Sequence, residues 1–205
     1  MEPCVFVTVG TTRFDALVES ASHATFLAAA RRLGFASVVI QHGQGPAPRA
    51  PPLPLPASAP LAALSFYGLK PDIGADVRGA GVVVSHAGAG SVFEALRAGR
   101  RLLVACNPAL AGNHQEELAG AMAQGGHCSV AASPLTPAAL AAGLAEAASR
   151  SFLPLPAPSH PALLGALRRR SAQRSPSALA CLFLLTAALL ALYLLLLKPH
   201  RHAPA

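Results

Sequence analysis

Gly81-Val-Val-Val-Ser85 runs directly into His86-Ala-Gly-Ala-Gly90, and a helical pattern follows from Ser91 to about Ala98, closed by Gly99. No other stretch narrows the choice of folds as much. A strand without polar alternation is covered on both faces, which is the habit of parallel sheets. Parallel neighbours need long crossovers, so helices must alternate with such strands. The rest of the chain obeys this. Residues 4–9, 37–41, 64–67, 101–106 and 127–131 read as further strands. Helical spacing covers the region from Phe14 to Leu33, with Gly34 as its C-cap, and also 71–78, 115–124 and 137–149. Residues 43–60, with seven prolines, and 107–113 read as loops. The pattern predicts an α/β fold, a Rossmann-like parallel sheet with helices on both faces. Its site is expected at the carboxyl ends of the strands.

The two ends of the chain differ in character. Residues 1–150 hold 10 Lys/Arg against 9 Asp/Glu, whereas residues 151–205 hold 6 Lys/Arg and no acid. The net charge of +7 therefore belongs to the C-terminal part, and the near-neutral domain has no footprint for nucleic acid. A chain that is 53% hydrophobic and 12% charged is not intrinsically disordered. Cys4, Cys106, Cys128 and Cys181 have no metal-ligand or redox spacing and read as free thiols. No basic n-region or cleavage site marks a signal peptide at the start. Ser177–Leu197 is 21 uncharged residues with 11 Leu, long enough as a helix to span about 30 Å of bilayer core. Arg168, Arg169, Arg170 and Arg174 precede it and Lys198 and Arg201 follow, which places its N-terminal side in the cytosol. The expected organisation is a domain over 1–150, a Pro/Arg-rich linker over 151–176, a transmembrane anchor over 177–197 and a short tail over 198–205.

Four groups of residues could carry chemistry. Gly88 and Gly90 let the backbone come close to an anion, and the helix after them offers free N–H groups to a diphosphate. The same glycines could serve only a tight βα turn. Ser91-x-x-Glu94 has the form of a capping box, or Glu94 could accept hydrogen bonds from sugar hydroxyls. Asn113-His114-Gln115 could read sugar hydroxyls at a helix start, or Asn113 could be an N-cap with exposed neighbours. Gly10-Thr11-Thr12 occupies the corresponding turn after the first strand.

In order along the chain, Phe6-Val-Thr-Val-Gly-Thr-Thr12, Leu33-Gly-Phe35, Gln41-x-Gly43-x-Gly45, Val84-Ser-His-Ala-Gly-Ala-Gly-Ser91, Glu94-Ala-Leu, Gly99 and Asn113-His-Gln-x-Glu-Leu118 resemble one family. It is the cytosolic, donor-binding subunit of the eukaryotic UDP-GlcNAc transferase of dolichol-linked oligosaccharide synthesis, a GT-B C-terminal-half family. The resemblance covers roughly residues 4–130. It implies a single GT-B half-domain that helps add the second GlcNAc to dolichyl-diphosphate-GlcNAc. It implies that His86, Gly88, Ala89, Gly90 and Ser91 hold the UDP diphosphate. Glu94 would take the ribose, Asn113, His114 and Gln115 would face the donor sugar, and Gly10, Thr11 and Thr12 would line the cleft. It implies no metal and no cofactor. The partner would be a membrane-anchored acceptor-binding subunit that brings the dolichol-linked acceptor and the general base. Within this chain only His86 is a candidate for that role. The place of action would be the endoplasmic reticulum membrane, with the domain facing the cytosol. Two features depart from the family: the chain's own membrane segment and the Pro-rich loop at 46–60. Two other readings compete. One is another membrane-anchored UDP-sugar transferase. The other is a tail-anchored scaffold or regulatory subunit that retains the nucleotide-binding fold.

Overall fold

The computed structural model describes residues 4–49, 63–107 and 114–156, of His114 the main chain only. The expected anchor over 177–197, the tail over 198–205 and most of the linker lie outside the described residues, as does Asn113. Among the described residues no helix is long and apolar enough to cross a membrane.

Six parallel strands form one sheet in the order β3-β2-β1-β4-β5-β6. They are β1 (Cys4–Thr8), β2 (Ser37–Gln41), β3 (Ala63–Tyr67), β4 (Ala80–His86), β5 (Arg101–Ala105) and β6 (Ser129–Val130). The helices are α1 (Asp15–Ser22), α2 (Ala24–Arg32), α3 (Gly74–Gly79), α4 (Ala89–Arg97), α5 (His114–Gln124) and α6 (Pro137–Ser149). Strand alternation sorts the core into two layers. Val5, Val7, Val38, Ile40, Val82, Val84 and Leu103 point to one face, where Leu17, Phe26, Leu140 and Leu144 of α1, α2 and α6 cover them. Phe6, Val83, Leu102 and Val104 point to the other, under Val77, Val92, Leu96 and Ala119 of α3, α4 and α5. Each fully buried side chain of this size is worth about 1.5–3 kcal/mol, so both layers are needed to hold the sheet. The expected two-faced parallel sheet is what forms.

Three boundaries differ from the sequence expectation. The helical stretch from Phe14 is two helices, because His23 is extended (φ −71°, ψ 144°) and its Nδ1 accepts from Thr25 N at 3.2 Å. α4 begins at Ala89, two residues earlier than the pattern suggested. The compact unit ends at Leu155 and not at 150. Phe152 and Leu155 pack on the two core layers, and Leu153 N donates to Gly126 O at 2.9 Å. A second unit starts at Pro156.

Candidate functional site

Strand order reverses between β1 and β4, and a crevice opens there at the carboxyl ends of the strands, as open α/β sheets require. Its volume is about 460 Å³. The β1–α1 turn (Gly10, Thr11) lines one side and the β4–α4 turn (His86, Gly88, Gly90, Ser91) the other. Glu94 and the segment Leu69–Ile73 close its far wall.

The two turns fit because they lack side chains. Gly10 has φ +61°, and a Cβ on it would stand 2.6 Å from His86 Cε1 and 3.4 Å from Ser91 Oγ. A Cβ on Gly88 would run into the His86 ring at Nε2. These glycines are thus used for close approach, beyond the demands of a tight turn. Beneath them lies a closed polar ring. Thr8 Oγ1 donates to Gln41 Oε1 at 2.5 Å, Gln41 Nε2 donates to Gly10 O at 2.7 Å, and Gly10 N donates to Thr8 Oγ1 at 3.0 Å. Thr8 and Gln41 are buried, and the ring fixes the height of the Gly10 turn on the crevice floor.

α4 is open at its start. Its N-cap is Gly88, with no side-chain hydrogen bond to the first N–H groups. Ser91 is the third helical residue and caps nothing, so the capping-box reading of Ser91 and Glu94 is overturned. The Glu94 carboxylate is half-buried and lines the crevice. Among the described residues it has no hydrogen bond or ion pair. Free N–H groups and the positive end of the dipole therefore face the crevice beside a carboxylate available to hydroxyls.

His86 ends β4 and is buried, with its Nδ1 lacking a hydrogen-bond partner among the described residues. Burial lowers its pKa, and the nearby Thr8 main chain pulls weakly the other way. The ring is therefore neutral in neutral solution. Such a ring can donate or accept one hydrogen bond in the crevice without adding charge.

Not every sequence candidate meets there. Gly10, Thr11, His86, Gly88, Gly90, Ser91 and Glu94 share the crevice. Thr12 turns its hydroxyl inward onto Val9 O at 2.8 Å. Ala89 supplies the first helical main chain while its methyl points to solvent. Gln115 lies in the first turn of α5, on the connection after β5, and its Oε1 is buried without a partner among the described residues. Asn113 and the His114 side chain lie outside the described residues. Sequence reasoning missed Gln41 and the wall Leu69–Ile73 as site residues. The Gln41-x-Gly43 spacing at the end of a strand was the available signal for the first. No local signal marks the second, because only strand order brings the end of β3 to this crevice.

A parallel sheet with an open helix start and, among the described residues, an unpaired carboxylate at its switch point defines a Rossmann-type half-domain. The chain belongs to the family described as glycosyltransferase family 28 C-terminal domain, which matches residues 4–160. It is 40% identical over 124 residues to the human UDP-N-acetylglucosamine transferase subunit ALG13, covering 60% of this chain and 10% of that protein. It is 32% identical over 177 residues to the subunit of the same name from Eremothecium gossypii, covering 74% of this chain and 85% of that one. This chain thus spans about a tenth of its human relative and most of the fungal one. A solution structure of ALG13 shares the fold, with a TM-score of 0.55 at 23% identity over 78% of this chain and 92% of that one.

Proposed function

We propose that this chain is the donor-binding part of a UDP-GlcNAc transferase that adds the second GlcNAc to dolichyl-diphosphate-GlcNAc. The observation that carries the reading is the pairing, in one crevice, of the uncapped α4 start with the unengaged Glu94 carboxylate. In this reading the diphosphate of UDP-GlcNAc sits on the N–H groups of Ala89, Gly90 and Ser91. Glu94 accepts from the ribose hydroxyls, and Gly10 and Thr11 stand over the phosphates. Gln115, with His114 and Asn113 before it, faces the sugar. An acceptor hydroxyl oxygen bonds to the sugar C1 as the C1–O bond to the β-phosphate breaks. UDP leaves with that electron pair, and the acceptor proton goes to a base. Charge growing on the β-phosphate is met by the α4 dipole and N–H groups, fixed before the reaction starts, so this reading needs no metal there. The base and the acceptor site come from a membrane-anchored partner subunit. The names of the relatives support a partner, since they call those proteins subunits of a UDP-N-acetylglucosamine transferase. The apolar run 177–197 holds the domain on the cytosolic side of the endoplasmic reticulum membrane.

Transfer of labelled GlcNAc from UDP-GlcNAc to dolichyl-diphosphate-GlcNAc tests this. The membranes used lack the host's own donor-binding subunit and retain its acceptor subunit, and this chain is added back. Restored transfer that disappears with Glu94→Ala is the expected result. A folded, inserted chain that binds no UDP-GlcNAc refutes the donor-site reading.

A further inference from the structure

A second cavity, of about 680 Å³, adjoins the crevice between α3 and α4, and Gly90 and Glu94 line both. Arg78, Arg97 and Arg100 line the second, and Lys70 lines the first. Three of these four cations are engaged. Lys70 Nζ donates to Asp76 Oδ2 at 2.5 Å. Arg97 stands over the Phe93 ring, 5.9 Å from its centroid. Arg100 donates to the main-chain oxygens of Ala98 and Ala80, at 3.0 and 3.4 Å. Arg78, in the last turn of α3, is exposed, and among the described residues its guanidinium has no hydrogen bond, ion pair or ring contact. Gly74 shows where that guanidinium reaches. It is the buried first residue of α3, and its backbone is not left-handed, so glycine is there for room. A Cβ on it would stand 2.9 Å from Arg78 Nη1, 3.0 Å from Asp72 Oδ1 and 3.5 Å from Glu94 Oε1. Three charged side chains thus converge on one bare Cα. Asp72 Oδ1 is occupied there, since it accepts from Gly74 N at 2.7 Å. The Glu94 carboxylate and the Arg78 guanidinium are the two that remain unengaged.

We propose that Arg78 is the positioning residue of the ribose-binding carboxylate: its guanidinium closes on one oxygen of Glu94 while the other accepts from the ribose hydroxyls. The inference rests on the donor-site reading above and adds to it a residue that lies outside the motifs of the sequence. A carboxylate has lone pairs enough for both partners, and a guanidinium brings donors in a fixed fork. The pair is not closed in this structure. Arg78 needs only a side-chain rotation to close it, because Gly74 leaves the space between the two ends empty. Once closed, the pair fixes the carboxylate in one rotamer and keeps it ionised, so more of the ribose contact appears as affinity.

Titration of the full chain in non-ionic detergent with UDP and, separately, with 2′,3′-dideoxy-UDP tests the proposal. The second probe keeps the base and both phosphates but lacks the hydroxyls assigned to Glu94. Arg78→Met is expected to weaken UDP binding by about fivefold, the net worth of one hydrogen bond, and to leave the dideoxy probe within twofold of wild type. Arg78→Lys restores the charge and should recover part of the loss. Gly74→Ala puts a methyl at the meeting point, so it should displace the guanidinium and weaken UDP in the same selective way. Because Arg78 has no partner to lose in the ligand-free fold, Arg78→Met should unfold in urea at the wild-type midpoint, which a purely structural role would lower. Two results overturn the proposal while leaving the donor-site reading intact. One is Arg78→Met binding UDP within twofold of wild type. The other is an equal loss for the two probes. Wild-type protein that binds both probes equally takes Glu94 off the ribose and overturns the proposal together with that assignment. Wild-type protein that binds neither overturns the whole donor-site reading.

Discussion

Gln41→Glu replaces one amide nitrogen with oxygen and changes nothing else in shape, yet it reverses a hydrogen bond at the crevice floor. In the wild type, Gln41 Oε1 accepts from Thr8 and Nε2 donates to Gly10 O, at 2.5 and 2.7 Å. A glutamate can keep the first contact when ionised. Its second oxygen then faces the Gly10 carbonyl, two acceptors with no proton between them. A protonated glutamate restores both contacts. The site is buried, with Gln41 only 2% exposed, and among the described residues the amide's hydrogen-bond partners are the uncharged Thr8 and Gly10. Desolvation therefore raises the folded-state pKa of the new carboxyl above its unfolded value of about 4.3.

The sign of the effect follows. A carboxyl whose pKa is raised by folding is more protonated in the folded state. The variant is then closest to wild type below about pH 4.3 and loses stability as pH climbs toward the folded pKa, after which the gap is constant. Each unit of upward shift is worth about 1.4 kcal/mol, and a shift of about two units puts the gap near 3 kcal/mol at pH 7.5. Against a typical total of about 5–15 kcal/mol this is large. The chain has no Trp, so urea unfolding is best followed by far-UV circular dichroism, with wild type and variant run side by side at pH 4.5 and 7.5 in non-ionic detergent. Taking the difference between the two proteins removes titrations common to both. UDP affinity should fall in the same direction, since the Gly10 turn stands on this ring. A gap that is the same at both pH values, or that shrinks as pH rises, refutes the argument that the ring needs a donor at Gln41.

Other outcomes follow from the same geometry. Gly34→Ala places a Cβ in open space at φ +84° and should cost about 1–2 kcal/mol in urea unfolding with no change in UDP affinity. Gly10→Ala carries the same backbone penalty at φ +61° and also pushes on the His86 ring, so it should cost more and weaken UDP binding in titrations. Wild-type stability should fall as pH drops through 6.5, because the lowered His86 pKa makes the unfolded chain the better proton acceptor; that part of the profile should flatten in His86→Gln. Thr136→Ala removes the side-chain cap that accepts from Ala139 N at 3.1 Å, and should cost about 1 kcal/mol in unfolding without affecting binding.

The sheet was legible because its strands are short apolar runs and its helices keep one apolar stripe. Val82–Val84 and Leu102–Val104 have no other stable home than a covered parallel sheet. The break at His23 was not legible. Apolar spacing continues across it, and a histidine side chain that caps a helix leaves no mark in a hydrophobic pattern. The wall Leu69–Ile73 was invisible for a different reason. It joins the site through a strand order that sets β3 two places from β1, which no local window contains. Gln41 stood in a motif, but its role depends on Thr8 and Gly10, thirty or so residues away.

The start of α4 is the most informative disagreement. Serine followed three residues later by glutamate is a sequence sign of a capped helix, and a capped helix has spent its N–H groups and its carboxylate on itself. In the structure the helix starts at Ala89, so Ser91 and Glu94 are one turn too far along to close such a box. Gly88 permits this because a Cβ there would strike His86, and the Ala89 methyl can face solvent. The consequence is chemical as well as geometric. The N–H groups stay open, and Glu94 is turned into the crevice, not back along the helix. A local rule that fails where strain-free alternatives exist points to a site whose polar groups are reserved for something else. Glu94→Ala tests this directly. A capping role predicts a loss of about 0.5–2 kcal/mol of stability. The uncapped geometry predicts almost none, together with loss of UDP-GlcNAc binding.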